Sequence, residues 1–138
     1  MNRLTYWIKA KTVYNIQSPF LYELYTEVIR PRLSRKELHH TAFGRYDAFK
    51  SLVFKIQDHY GAIDVRKEET EGLSADAYMQ MGDGSIVAII DRPHRNMESE
   101  RRWHELYSSD RVTLSVDIFD AGIAFTSGKL SKQHFLLR

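Results

Sequence analysis

The spacing of apolar residues changes near residue 61. Before it they recur at three and four: Phe20, Leu21, Leu24, Tyr25 and Val28 make one stripe, and Phe49, Leu52, Val53, Ile56 and Tyr60 make another. That period lines one face of a helix. Ser18-Pro19 offers a cap and a first helical residue for the first stripe, Pro31 closes it, and Gly61 ends a helix spanning Tyr46 to Tyr60. Leu4, Trp7 and Ile8, with Lys9 and Lys11, predict a docked terminal helix within residues 3–14 rather than a membrane-surface one, because the apolar face is short.

Beyond Gly61 the pattern shortens to that of strands. Ile63-Asp-Val65 reads as a short strand and Arg66 to Gly72 as polar surface loop. Ala77 to Met81 and Ser85 to Ile90 flank Gly82-Asp83-Gly84, which predicts a hairpin. Ile86 to Ile90 is apolar without a break, as in a strand covered on both faces, and few partners for it are legible in so short a chain. Asn96 can cap a helix that turns Trp103, Leu106 and Tyr107 inward and sets Glu98 and Glu100 at its positive end. Val112, Leu114, Val116 and Ile118 alternate with Thr113, Ser115 and Asp117, a half-buried strand that Gly122 breaks. Ile123 to Phe125 and Gln133 to Leu137 supply the last strands, most simply as an antiparallel C-terminal pair. The fold class is therefore α/β, a small mixed sheet of about four to six strands with helices packed on it. One domain covers 1–138, mainly helical over 1–60 and sheet-forming over 61–138.

Composition narrows the classes only a little. With 43% hydrophobic and 28% charged residues the chain falls in the globular range, neither disordered nor fibrous. Twenty basic against 18 acidic residues give a net charge of +2, with the signs interspersed, so nucleic acid is not implied as a partner. The absence of cysteine excludes disulfides and thiol catalysis and fits a reducing compartment. No apolar run resembles a signal peptide or a membrane span, so a cytoplasmic location is expected.

Two separated blocks resemble a known family. Ile16-Gln-Ser-Pro-Phe-Leu-Tyr22 is similar to the Ile-His-Ser-Pro-Phe leader of a group of bacterial class I S-adenosylmethionine-dependent methyltransferases, with Gln17 in place of histidine. Val87 to Trp103 resembles that family's fifth strand, its Asp-Asp-Ile-His loop and the following helix; Asp91, His94, Glu98, Glu100 and Trp103 keep the spacing, and Arg92 replaces the second aspartate. Arg111 to Phe125 resembles the sixth and seventh strands, and Lys132-Gln-His-Phe-Leu-Leu-Arg138 the closing Lys-Gln-His-Phe. With the Tyr46 to Tyr60 helix, the likeness covers somewhat over half the chain. It implies a Rossmann-like architecture, but a truncated one. The family's glycine-rich turn and the acidic residue that holds the cofactor's ribose should lie between that helix and the Ser85 strand, where only Gly61 to Gly84 are present. A single βαβ unit needs about 30 residues. In Val65 to Gly72, the nearest equivalent of the glycine turn, Gly72 is the candidate cofactor-binding residue, and Glu68, Glu69 and Glu71 crowd the place where small residues are needed.

Candidate chemistry is sparse. Asp91 and His94, just past a strand's carboxyl end, are the candidate catalytic pair, His94 as general base; the plainer reading has them capping the next helix or pairing with Arg92 and Arg95. Glu100 and His104, four apart, could share a metal but read as a surface pair, and no metal site is expected. Arg30, Arg32, Arg35 and Lys36 before His39-His40 read as a solvated linker rather than a phosphate or metal site. The abundant tyrosines read as core residues with wet hydroxyls. The leading expectation is a non-catalytic, methyltransferase-like homodimer without a cofactor. The alternatives are an S-adenosylmethionine-dependent methyltransferase with a rebuilt site, and a nucleic-acid binder built on the basic residues.

Overall fold

The computed structural model describes residues 1–10, 19–31, 48–70, 72–128 and 130–137. Among these, every element before residue 61 is helical and all six strands come after it. Helix α1 spans Arg3–Lys9, α2 spans Pro19–Glu23 and runs on as a π-helical turn over Leu24–Ile29, and α3 spans Ala48–Tyr60. Strands β1 (Ile63–Asp64), β2 (Ala77–Gln80) and β3 (Ile86–Asp91) follow, then α4 (Met97–Ser108), β4 (Leu114–Asp117), β5 (Ala121–Phe125) and β6 (Gln133–Leu136). The Ser18 cap, the basic cluster beyond Pro31 and Tyr46 lie outside the described residues. Thr26 Oγ1 donates to the Tyr22 carbonyl at 2.8 Å, and the Arg30 N–H bonds back to Tyr25 at 2.8 Å.

The sheet is open and mixed, in the order β1-β2-β3-β5-β4-β6. The hairpin forms as read, pairing Tyr78 with Ala88. Gly84 takes φ +87°, and Asp83 Oδ1 accepts from the Ser85 N–H at 2.9 Å. Three expectations are corrected. Strand β3 does not lack partners, since β2 and β5 flank it, both antiparallel. The final strand does not pair with β5. It lies parallel to β4, with Leu114 opposite Gln133, so of the last three strands only β4 and β5 pair antiparallel. Gly122 does not break a strand but sits inside β5, where an added Cβ would lie 2.7 Å from the Trp103 ring.

The two faces of the sheet differ. On one, α2, its π turn and α3 cover an apolar layer that includes Leu24, Ile56, Met79, Val87, Ile89, Val116 and Ile123, each fully buried. On the other, Ile86, Ala88, Ile90 and Ala124 meet Trp103 and Leu106 of α4. Strand alternation places Ser115 and Asp117 beside these, and both are buried. The strand read as half-exposed is thus covered on both faces. Helix α1 docks by Tyr6 and Ala10, whereas Leu4, Trp7 and Ile8, expected to face the domain, are 57–69% exposed. Among the described residues no helix is long and apolar enough to cross a membrane.

Candidate functional site at the carboxyl ends of two strands

Strands β3 and β4 both run antiparallel to β5 and so point the same way. Their carboxyl ends carry a buried cluster of bonded polar groups. After β3, Arg92 adopts φ +44°, Pro93 is buried, and Asn96 caps α4 by accepting from the Ser99 N–H at 2.8 Å. After β4, Asp120 N–H donates to the Ile118 carbonyl at 2.9 Å, closing a γ-turn around Phe119 at φ +70°. A bulky residue in that region is strained, and such residues gather at functional sites. A bond from Arg92 N–H to the Asp120 carbonyl, at 3.0 Å, ties the two loops together.

His94 is held between two carboxylates. Its Nε2–H donates to Asp117 Oδ2 at 2.5 Å and its Nδ1–H faces Glu100 Oε2 at 3.3 Å, with the side chain 5% exposed. Burial pulls its pKa down, but the bonds and charge of Asp117 and then Glu100 outweigh it and hold His94 above the ordinary histidine value. Asp117 is fully satisfied: Oδ2 also accepts from Trp103 Nε1 at 3.0 Å, and Oδ1 from the Phe119 N–H at 2.9 Å. The Tyr6 hydroxyl, 2.5 Å from the carbonyls of both Asp117 and Leu137, joins α1 to the cluster, and its burial drives its pKa up. This tyrosine's hydroxyl is dry, contrary to the wet reading. The amino group of Met1 pairs with Glu100 and holds that carboxyl below its usual value. Phe119 stacks on His94 with centroids 5.4 Å apart.

A doubly donating imidazolium has no free lone pair, so in this arrangement His94 bears charge and fixes neighbours rather than accepting a proton. The structure does not unite Asp91 with His94. Asp91 is beside Arg92 at 3.4 Å, and its N–H donates to Asp76 Oδ2. Gly72 takes φ +91° in an exposed turn. Glu100 is four from His104 but bonds His94 instead, and among the described residues no group of three or more potential metal ligands is gathered. Arg101 and Arg102 are committed to Glu98, Glu105 and Asp76.

Sequence reasoning missed Asp117, Tyr6, Ser115 and His134. For Ser115 and Asp117 the signal is the alternation itself, because the Trp103 stripe of the capped helix needs a sheet face with room for an indole; Tyr6 and His134 carry no local signal. Beside the cluster, a cavity of about 620 Å³ opens between α1, α4 and β6, walled by Trp103, Tyr107, His134 and Leu136, with Lys9 and Glu100 among its charged groups. A smaller one of about 300 Å³ lies by Phe49, Asp91, Arg92 and Asp120. Compared with known proteins, the chain matches no family model, no curated protein and no solved structure.

Proposed function

We propose that this chain is a shortened relative of the bacterial class I S-adenosylmethionine-dependent methyltransferases that transfers no methyl group and serves as a homodimeric structural or interaction domain. One observation carries the reading, the wiring around β3. Cofactor crevices of doubly wound folds open at the carboxyl ends of parallel strands where the strand order reverses. Here both neighbours of β3 are antiparallel, and residues 61–84 are spent on β1, a 3₁₀ turn over Lys67–Thr70 and β2. No βαβ unit fits there. Descent is supported by the other half: β5 lies antiparallel between β3 and β4, with α4 as the crossover, an order consistent with the likeness to the family's fifth, sixth and seventh strands. The dimer rests on β6, which has no strand beyond it among the described residues, and on the exposed Leu4, Trp7 and Ile8 of α1.

Calorimetric titration with S-adenosylmethionine and its demethylated product tests the reading. The expected result is no heat and an unchanged melting temperature, with light scattering reporting two chains per particle. Saturable heat would replace the reading with a methyltransferase whose site is rebuilt around Asp91 and His94, and a monodisperse monomer would remove the dimer. Engagement of Arg101 and Arg102 by carboxylates argues against a nucleic-acid binder.

A further inference from the structure

Independently of that ancestry, we propose that the groove between α1, α4 and β6 binds a small, flat, apolar molecule carrying one anionic group. Its volume of about 620 Å³ falls within the range of small-molecule sites. Its wall is a preformed aromatic surface: Tyr107 and His134 stack at 3.9 Å with planes 15° apart, and Trp103 stands 5.3 Å from Tyr107. His134 Nδ1 lies 2.6 Å from Ser115 Oγ, which fits an accepting ring nitrogen, and burial holds its pKa below the ordinary histidine value. The wall is therefore uncharged near neutral pH and suited to a ring.

The charges at the groove choose the ligand's sign. Asp117 and Glu100 are consumed by His94 and its neighbours, and Arg101 by Glu98 and Glu105. Lys9, exposed at the rim, enters no ion pair among the described residues, so the uncommitted charge is cationic. His94 and Asp117 also line the groove, and their mutual bond, with the one Asp117 accepts from the Phe119 N–H, fixes its floor. A site whose floor is fixed in this way meets a ligand without first having to order itself.

The test uses the full ¹⁵N-labelled chain and follows the indole Nε1–H resonance of Trp103 during titration with 4-phenylbutyrate and, separately, with 4-phenylbutan-1-ol. The proposal expects saturable shifts at Trp103, with the carboxylate bound about three- to fivefold more tightly than the alcohol, the size of a partly exposed ion pair. Lys9→Gln, a rim substitution that leaves the core intact, should erase that preference while leaving the alcohol's affinity unchanged. A Trp103 resonance that never saturates, equal affinities for acid and alcohol, or a preference that survives Lys9→Gln would each overturn it.

Discussion

The two faces of this sheet solve the same burial problem by different means. On the α2 and α3 face, large apolar side chains from β2 to β5 close against two helices, and among the described residues no charged side chain is fully buried there. On the α4 face β4 and β5 present small or polar residues, Ser115, Asp117, Gly122 and Ala124, beside Ile86, Ala88 and Ile90 of β3, and Trp103 and Leu106 pack over them. The first face is held by apolar area, and the second adds directed bonds to Asp117. What differs is sensitivity: an apolar layer loses stability in proportion to the atoms removed, whereas a buried charge network fails when one partner is lost.

The sharpest break should come from Asp117→Ala, which leaves the His94 charge and the Trp103 N–H unpaired. About 3–5 kcal/mol of stability is expected to go, read as a shift in urea midpoint. On the opposite face Ile89→Ala, at a fully buried position, should cost about 2–5 kcal/mol. Gly122→Ala adds only one methyl, yet it collides with a buried ring that cannot swing away. It should cost about 1–3 kcal/mol, where the same change at exposed Gly82, which has open space around it, costs far less.

A smaller effect separates the faces by pH. His94 has a raised pKa in the folded chain, so the stability it adds is complete below the unfolded value of about 6.5 and is lost as pH rises through the higher folded value. The difference in urea midpoint between the native chain and His94→Gln should therefore shrink from pH 6 to pH 9, while the deficit of Ile89→Ala stays constant. A His94→Gln difference that also stays constant would mean that the imidazolium adds nothing. Least of all, Lys132→Met removes an ammonium that donates to the carbonyls of Tyr107, Ser109 and Val112 at 2.6–2.9 Å, at the end of α4. A loss of about 1 kcal/mol is expected, confined in hydrogen exchange to the last turn of that helix.

Legibility followed the same division. The stripes over α2 and α3, the Asp-Gly hairpin and the Asn96 cap could be read directly, because each depends on neighbours within a few positions. Asp117 could not, because its partners come from α1, the loop before α4, α4 itself and the β4–β5 turn. Alternation says that two sets of side chains face opposite ways and leaves open whether water or an indole waits on either side. Gly122 misled for a related reason: a glycine inside a strand looks like an interruption until the ring that needs its missing Cβ is in place.

Period, capping and turn chemistry are properties of adjacent residues, and so the order of helices and strands and the α/β class were already present in the chain. Which strand lies beside which, the parallel return of β6 onto β4 and the histidine clamped between two carboxylates were decided by packing. The physical reason is distance along the chain. His94 and Asp117 are 23 residues apart and Tyr6 and Asp117 are 111 apart, so no local preference can select these contacts. Only burying the sheet's second face under Trp103 brings them together.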